Sequence, residues 1–390
     1  NLHGAIGLTG PHDIFISYDP DSASQVKKLS AALAAIGVTS FAHDGGNARE
    51  LHPKLATSKL MVGWGSTGFF NSRSCQTHLA TTFLAQRQNP STENINRILI
   101  INPEPSFKHI YPMELRALAL SSSKDGDIDF GAIANRVHAH VESAHGNIGN
   151  LYTEVNGGWV EPFDQLTLAP KVFVSREREL WDTFMALEKC DHSPSKTRPV
   201  VISGAAGHGK TYLAREYAFR FSAAYPGGIF KISAQDASPV ASLAQLRRNP
   251  ALKCQLRALF AKTFPDIAFD KDIDLATLRD TFSKCLTERQ GSYLWIVDNV
   301  PEGINGPALE QWFAPTHTES QLGHTILISR SNRYDSRGDP IHVPILDPES
   351  SVLLLQNAKN TQKIEEENPA DWLVEDLGRH PRYIAMCSHF

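Results

Sequence analysis

Cysteine is scarce in this sequence: five in 390 residues (Cys75, Cys190, Cys254, Cys285, Cys387), with no two in a CxxC pair. This excludes a disulfide-stapled secreted scaffold. The thiols read as reduced and mostly buried, in a cytoplasmic protein. No apolar run approaches the roughly 18 residues of a membrane span, so a membrane is not an expected partner. No secretory leader is visible, and because the sequence opens on Asn1 the expectation is a trimmed start. Charge bias is also missing. With 38 Lys and Arg against 42 Asp and Glu, the net charge is -4, and no basic stripe marks nucleic acid as a primary ligand. Repeats and low-complexity runs are absent. What remains is an ordinary globular balance, 41% hydrophobic and 21% charged, on a chain too long for one core.

The first half alternates two periods. "DIFISY" (13–18), "VTSFAHD" (38–44), "KLMVGWGS" (59–66) and "RILIINPEP" (97–105) are short, apolar and β-rich. Between them, 21–37 carries Val26, Leu29, Leu33 and Ile36 at helical spacing, "CQTHLATTFLAQ" (75–86) reads as a helix, and a last helix covers 129–145. Strands alternating with helices predict a parallel sheet covered on both faces. The expected organisation is a front domain over 1–145, a Gly-, Asn- and Pro-rich linker over 146–170, an α/β domain over 171–345 and a helical segment over 346–390.

The strongest signal lies at 199–220, where a strand, a loop and a helix follow in order. The loop "GAAGHGKT" (204–211) fills GxxxxGK[ST] with Gly204, Gly209, Lys210 and Thr211. Glycines let backbone N–H groups turn inward onto phosphate oxygens, and the following helix adds its positive end. Lys210 supplies a charge for the β- and γ-phosphates and Thr211 a hydroxyl for Mg²⁺. Gly207, His208 and Tyr212 complete the expected contacts. Such a loop calls for an apolar strand ending in an acid, and "YLWIVDNV" (293–300) provides Asp298 as the second magnesium residue. Asn299 follows where a second acid would activate water. An amide cannot take that proton, and general-base help is worth about 10²–10⁴ in rate, so hydrolysis is expected to be slow. "HTILISR" (324–330) ends in Arg330, placed to report on the γ-phosphate.

The series "VFVSRERE" (172–179), "GAAGHGKT", "GGIFKIS" (227–233), "LWIVDNV", "ILISR" and "LGRHP" (377–381) resembles, in order, the NB-ARC domain of STAND-type ATPases. The resemblance covers 170–390. It implies a P-loop NTPase domain with a helical ARC-type segment, adenine held by backbone around Val174 and by the face of Pro381, and ADP exchanged for ATP before self-association. It also implies a sensor for an unknown trigger that lies outside this sequence. Ser175 departs from the family's usual Gly.

The front stretches "DIFISY", "FAHD", "KLMVGWGSTGFF" and "SRSCQTHL" (72–79) resemble TIR domains, a flavodoxin-like fold. That resemblance implies a site around Tyr18, Ser66 and the position of His78. Catalytic TIR domains hold a glutamate where this sequence has His78, and Ser74 replaces a Trp. A carboxylate can steady the positive charge that builds on ribose as NAD⁺ is cleaved, whereas an imidazole cannot. The resulting expectation is an ADP/ATP-driven signalling switch whose inert TIR domains cluster and recruit a downstream effector, in immune or antiphage-type defence. The alternative is an effector enzyme whose clustered TIR domains destroy NAD⁺. Cys75 with His78 and His138 with His140 offer two ligands each, short of a zinc site. Trp64, Phe69 and Phe70 read as core.

Overall fold

In the computed structural model the apolar runs become two parallel sheets in two compact units, Asn1–Thr153 and Glu154–Phe390. The structure describes residues 12–44, 48–88, 96–117, 119–121, 128–149, 173–190, 198–237, 249–268, 270, 272–289, 291–304, 306–315, 323–359 and 369–387. Most of the expected linker, the basic run at 246–248 and the acidic run at 363–368 lie outside them.

In the first unit β1 (Ile14–Ser17), β2 (Ser40–His43), β3 (Leu60–Trp64), β4 (Ile98–Asn102) and β5 (Leu120–Ser121) pair in the order β2-β1-β3-β4-β5. This is the flavodoxin-like order, which reverses direction between β1 and β3. The pleat sorts the side chains. Ile14, Ile16, Val62, Trp64, Leu99 and Ile101 pack against α1 (Ala23–Ala35) and α5 (Phe130–Ser143) through Leu29, Leu33, Ile133 and Val137. Phe15 and Ser17 face the other way, toward α4 (Arg73–Gln88), where the Phe15 ring meets His78 at 5.1 Å. The central strands β1, β3 and β4 are buried along their whole length, as a sheet covered on both faces requires. Two further helices, α2 (Ala48–Thr57) and α3 (Thr67–Asn71), were not anticipated from the sequence. After α5, Ile148 and Gly149 donate their N–H groups to Ser58 and Ala56 carbonyls, so the first residues of the expected linker are tied to this unit.

The second unit opens with α6 (Glu177–Cys190) and β6 (Val200–Ser203), followed by α7 (Lys210–Arg220) and β7 (Gly228–Ser233). Helices Pro250–Thr263 and Leu275–Glu288 precede β8 (Tyr293–Val300), and β9 (Gly323–Ser329) and β10 (Asp339–His342) complete the sheet. The order is β10-β6-β9-β8-β7, all parallel. One face carries Val201, Phe230, Trp295, Val297 and Leu327 against Leu252, Phe260 and Phe282 of the two helices. Around α6 and α7, Phe184 of α6 and Tyr217 of α7 both stack on Phe221. Helices Pro348–Lys359, Pro369–Asp376 and Pro381–Cys387 form a third cluster of Leu354, Leu355, Ala370, Val374 and Ile384, which Val174 joins from before α6.

One sequence expectation needs correction. Of the described cysteines, Cys75 and Cys285 are buried, but Cys254 is exposed and Cys387 half-buried. Cys254 lies on a helix whose apolar positions already suffice to cover the sheet. Trp64, Phe69 and Phe70, read as core, are core side chains at 0%, 0% and 1% exposure. Among the described residues no helix is long and apolar enough to cross a membrane.

Candidate functional site

The loop between β6 and α7 is shaped by its glycines. Gly204 has φ 151°, and a Cβ there would stand 2.6 Å from the Val343 carbonyl oxygen. Gly207 has φ 78°, and its missing Cβ leaves room for the His380 ring, whose Cε1 would otherwise be 2.2 Å away. Gly209 is in the left-handed region at φ 92° and serves as the N-cap of α7, so the first turn of the helix opens directly onto the loop.

Lys210 curls back into this loop. Its Nζ donates to the Gly204 and Ala205 carbonyl oxygens at 2.7 and 2.6 Å, and the residue is 8% exposed. Burial, helped by the positive charge of Arg330, lowers the Lys210 pKa, with Asp298 opposing. Arg330 itself is exposed at the tip of β9, the strand between β6 and β8 in the sheet.

Asp298 is brought in by a bulge. The β8–β9 register shifts between Val297 and Val300, and Asn299 takes φ 55°, a conformation Asn tolerates. Asp298 is thereby turned inward at 3% exposure and Asn299 outward. Asp298 Oδ1 accepts from the Thr211 hydroxyl at 3.1 Å and from the Asn299 N–H at 2.9 Å. Its Oδ2 pairs with the Lys231 ammonium at 2.7 Å.

A third element closes over the loop. Two carbonyl oxygens, which can only accept, fix the histidine roles. His380 Nε2–H donates to Ala206 O at 2.9 Å, and His208 Nδ1–H donates to Val343 O at 2.9 Å. The two rings meet edge to face at 5.5 Å, and Arg382 reaches the same spot beside Gly207. Pro381 starts the last helix immediately after His380.

Lys210, Thr211, Asp298 and the loop residues Gly204, Gly207, His208 and Gly209 therefore converge, with Arg330 close by. Tyr212 is 51% exposed. The Val174 side chain is buried in the helical cluster, 7% exposed. After it, Ser175 and Arg176 have φ 59° and 74°, and the Arg176 guanidinium is held by Glu179 at 3.0 Å and by the Pro344 carbonyl. Lys231, His380 and Arg382 escaped the sequence reading. His380 sits inside the quoted "LGRHP", yet it meets a loop 174 positions away in sequence.

In the first unit, Tyr18 and Ser66 follow the adjacent strands β1 and β3, and His78 lies on α4 beside Ser17. It is 2% exposed, its Nδ1 lies 3.0 Å from Ser17 Oγ, and its Nε2 has no partner among the described residues. Burial, with a smaller contribution from His43, lowers its pKa to about 4, so the ring is neutral. Helix α4 packs this position against Phe15 and Ser17 of β1. Two carboxylates missed from sequence stand at the strand ends. Asp19 accepts from the Ser66 and Ser22 hydroxyls at 2.5 and 2.6 Å. Glu104 accepts from Thr67 and lies 3.5 Å from His109. The C-terminal ends of parallel strands were the signal that would have found both.

No family model matches the chain, and no curated protein matches it. Among solved structures it is similar to the RuvB Holliday junction branch migration motor of Thermotoga maritima. The identity is 14% and the TM-score 0.34, over 57% of this chain and 64% of that one. It is also similar to Cdc6p of Pyrobaculum aerophilum, at 13% identity and a TM-score of 0.38, over 56% of this chain and 61% of that one. The chain thus spans less than two thirds of either relative. Likenesses this distant carry no argument about role.

Proposed function

We propose that the second unit binds ADP and ATP with Mg²⁺ and works as a slow, nucleotide-operated switch. The observation that carries this reading is the meeting of Lys210, Thr211 and Asp298 beside a loop whose glycines take conformations only glycine adopts readily. Loop amides and the α7 N-terminus suit a polyphosphate. The Thr211 hydroxyl and the Asp298 carboxylate form a hard oxygen set that fits Mg²⁺, which when bound would neutralise phosphate charge. Asn299, turned out to solvent, offers no carboxylate to activate water, which keeps hydrolysis slow.

The switch reading draws on the His380 contact. The turn carrying His380 and Pro381 belongs to the C-terminal helices and is fastened to the phosphate loop by the hydrogen bond from His380 to the Ala206 carbonyl at 2.9 Å. A group arriving in the loop and a helical cap resting on it must adjust to each other. Moving such a population from 1:99 to 99:1 takes about 5.5 kcal/mol of differential binding. In this scheme the first unit is a TIR-like module that self-associates in the open state and recruits an effector. It does not cleave NAD⁺, because the residue at the glutamate position is a buried neutral imidazole. Release of free nicotinamide on incubation with NAD⁺ would overturn that part.

Calorimetric titration tests the core of the reading. Wild-type protein should bind ATP, and Lys210→Ala should lose the signal. Undiminished ATP affinity in the variant sinks it. His380→Ala should loosen the cap, seen as faster proteolysis after residue 360 and a shift toward larger species with ATP in light scattering. Unchanged cleavage and mass would remove the cap from the mechanism.

A further inference from the structure

The residue that the nucleotide scheme leaves unused is Lys231. It lies on β7, the edge strand next to β8, two positions before Ser233, which pairs across with Asp298. Lys231 and Asp298 therefore share one face of the sheet as a diagonal cross-strand pair. The neighbours of Lys231 on its own strand, Phe230 and Ile232, point to the opposite face and into the core. The ammonium stands 2.7 Å from Asp298 Oδ2, with the two side chains 18% and 5% exposed. A carboxylate buried to that degree needs a compensating charge. The Thr211 hydroxyl and the Asn299 N–H on Oδ1 are neutral donors, so the positive charge in direct contact with this carboxylate is that of Lys231, while Lys210 acts on it through space.

We propose that Lys231 is a resident cation of the phosphate site: it occupies the counter-charge role at Asp298 that a divalent ion would otherwise take, and so makes nucleotide binding largely independent of Mg²⁺. This rests on the nucleotide reading above. Two consequences follow from charge alone. With Lys231 in place, Asp298 is neutralised and does not repel an incoming diphosphate, so ADP binds without metal. The same ammonium is a like charge beside a bound Mg²⁺, so it weakens the ion. Without Lys231, the bare carboxylate repels phosphate in the absence of metal and attracts Mg²⁺ in its presence.

The test is the dissociation constant of a fluorescent ADP analogue, measured in EDTA and across a Mg²⁺ series for wild type, Lys231→Met and Lys231→Arg. Circular dichroism checks the fold of each. Wild type and Lys231→Arg should change by no more than about threefold between EDTA and saturating Mg²⁺. Lys231→Met should bind about tenfold more weakly in EDTA, recover on adding Mg²⁺, and need about tenfold less Mg²⁺ for half-recovery. If Lys231→Met does not fold, Lys231→Gln keeps a hydrogen-bond donor for Asp298 without the charge and should show the same gain in Mg²⁺ dependence. Equal Mg²⁺ dependence in wild type and Lys231→Met overturns this inference while leaving nucleotide binding intact. A folded Lys231→Gln variant as metal-independent as wild type also overturns it. Absence of ADP binding by wild type in every condition overturns the nucleotide reading, and this inference with it.

Discussion

Both units line up five parallel strands, in the order β2-β1-β3-β4-β5 in the first and β10-β6-β9-β8-β7 in the second, and both gather their strand-following loops along one edge. At that edge they differ in what meets the loops. In the second unit the loop after β6 has three glycines with positive φ and presents backbone and a lysine. In the first, the loop after β3 is pinned by side chains, Ser66 to Asp19 and Thr67 to Glu104, so acids and hydroxyls satisfy one another. One edge presents backbone and a lysine that bonds to its own loop, and the other closes on itself through side chains. The scaffold sets where chemistry can happen, while a few residues after each strand decide whether it does.

Lys210→Ala should break the comparison most sharply. It removes the lysine charge from the loop after β6, and ATP affinity should fall by at least about a hundredfold, read by calorimetry. The first unit should melt unchanged. A loss of stability in both units would show that Lys210 works through folding instead.

The pH response should separate the units in opposite directions. His78 in the first unit has a pKa lowered from 6.5 to about 4 by burial. The unfolded chain therefore takes up its proton first as pH falls. Stability is full above pH 6.5, declines below it and levels off once the folded pKa of about 4 is passed, for a loss of about 3 kcal/mol. Glu177, at the start of α6 in the second unit, has a pKa raised from 4.5 to about 7 by burial, against the pull of Arg220. Its contribution has the opposite sign. It is present below pH 4.5 and lost as pH rises through about 7, again by about 3 kcal/mol. Hydrogen exchange resolved by peptide should show β1 and α4 opening more readily toward pH 5, and α6 toward pH 8. His78→Phe should flatten the first trend and Glu177→Gln the second. Parallel trends in both units would refute the assignment.

The sequence made the strands legible wherever an apolar run was long enough to bury both faces. "DIFISY", "KLMVGWGS" and "YLWIVDNV" contain β1, β3 and β8, and "HTILISR" contains all of β9 after Gly323. It did not reveal β5, which is two residues long, or α2, which carries Pro53 inside the helix. In the candidate site, the loop and Asp298 could be read because their spacing is local and their strand is apolar. Lys231 and His380 could not. A lysine in "FKIS" looks like a solvated edge residue until β7 pairs with β8, and His380 acquires its partner only when the C-terminal helices fold back. The burial of His78 was hidden because the helical period gives a face but not which neighbour covers it.

One chemical change, serine to glycine, should have opposite signs in the two units. Ser175 holds φ 59°, where a Cβ costs of order 1–3 kcal/mol, between buried Val174 and an Arg176 tied to Glu179 and Pro344. Glycine relieves that strain and adds about 0.5–1 kcal/mol of unfolded-state entropy, so the net gain is up to about 2.5 kcal/mol. Ser66 has an ordinary extended backbone, φ -71° and ψ 165°, so glycine relieves nothing there. It would instead delete the hydroxyl that caps the Phe69 N–H and donates to Asp19, costing about 1–2 kcal/mol. Thermal melts followed by hydrogen exchange should show Ser175→Gly protecting α6 and Ser66→Gly exposing β3. If Ser175→Gly destabilises, the strain at Ser175 is smaller than the chain entropy that glycine adds, and the left-handed turn before α6 costs serine little.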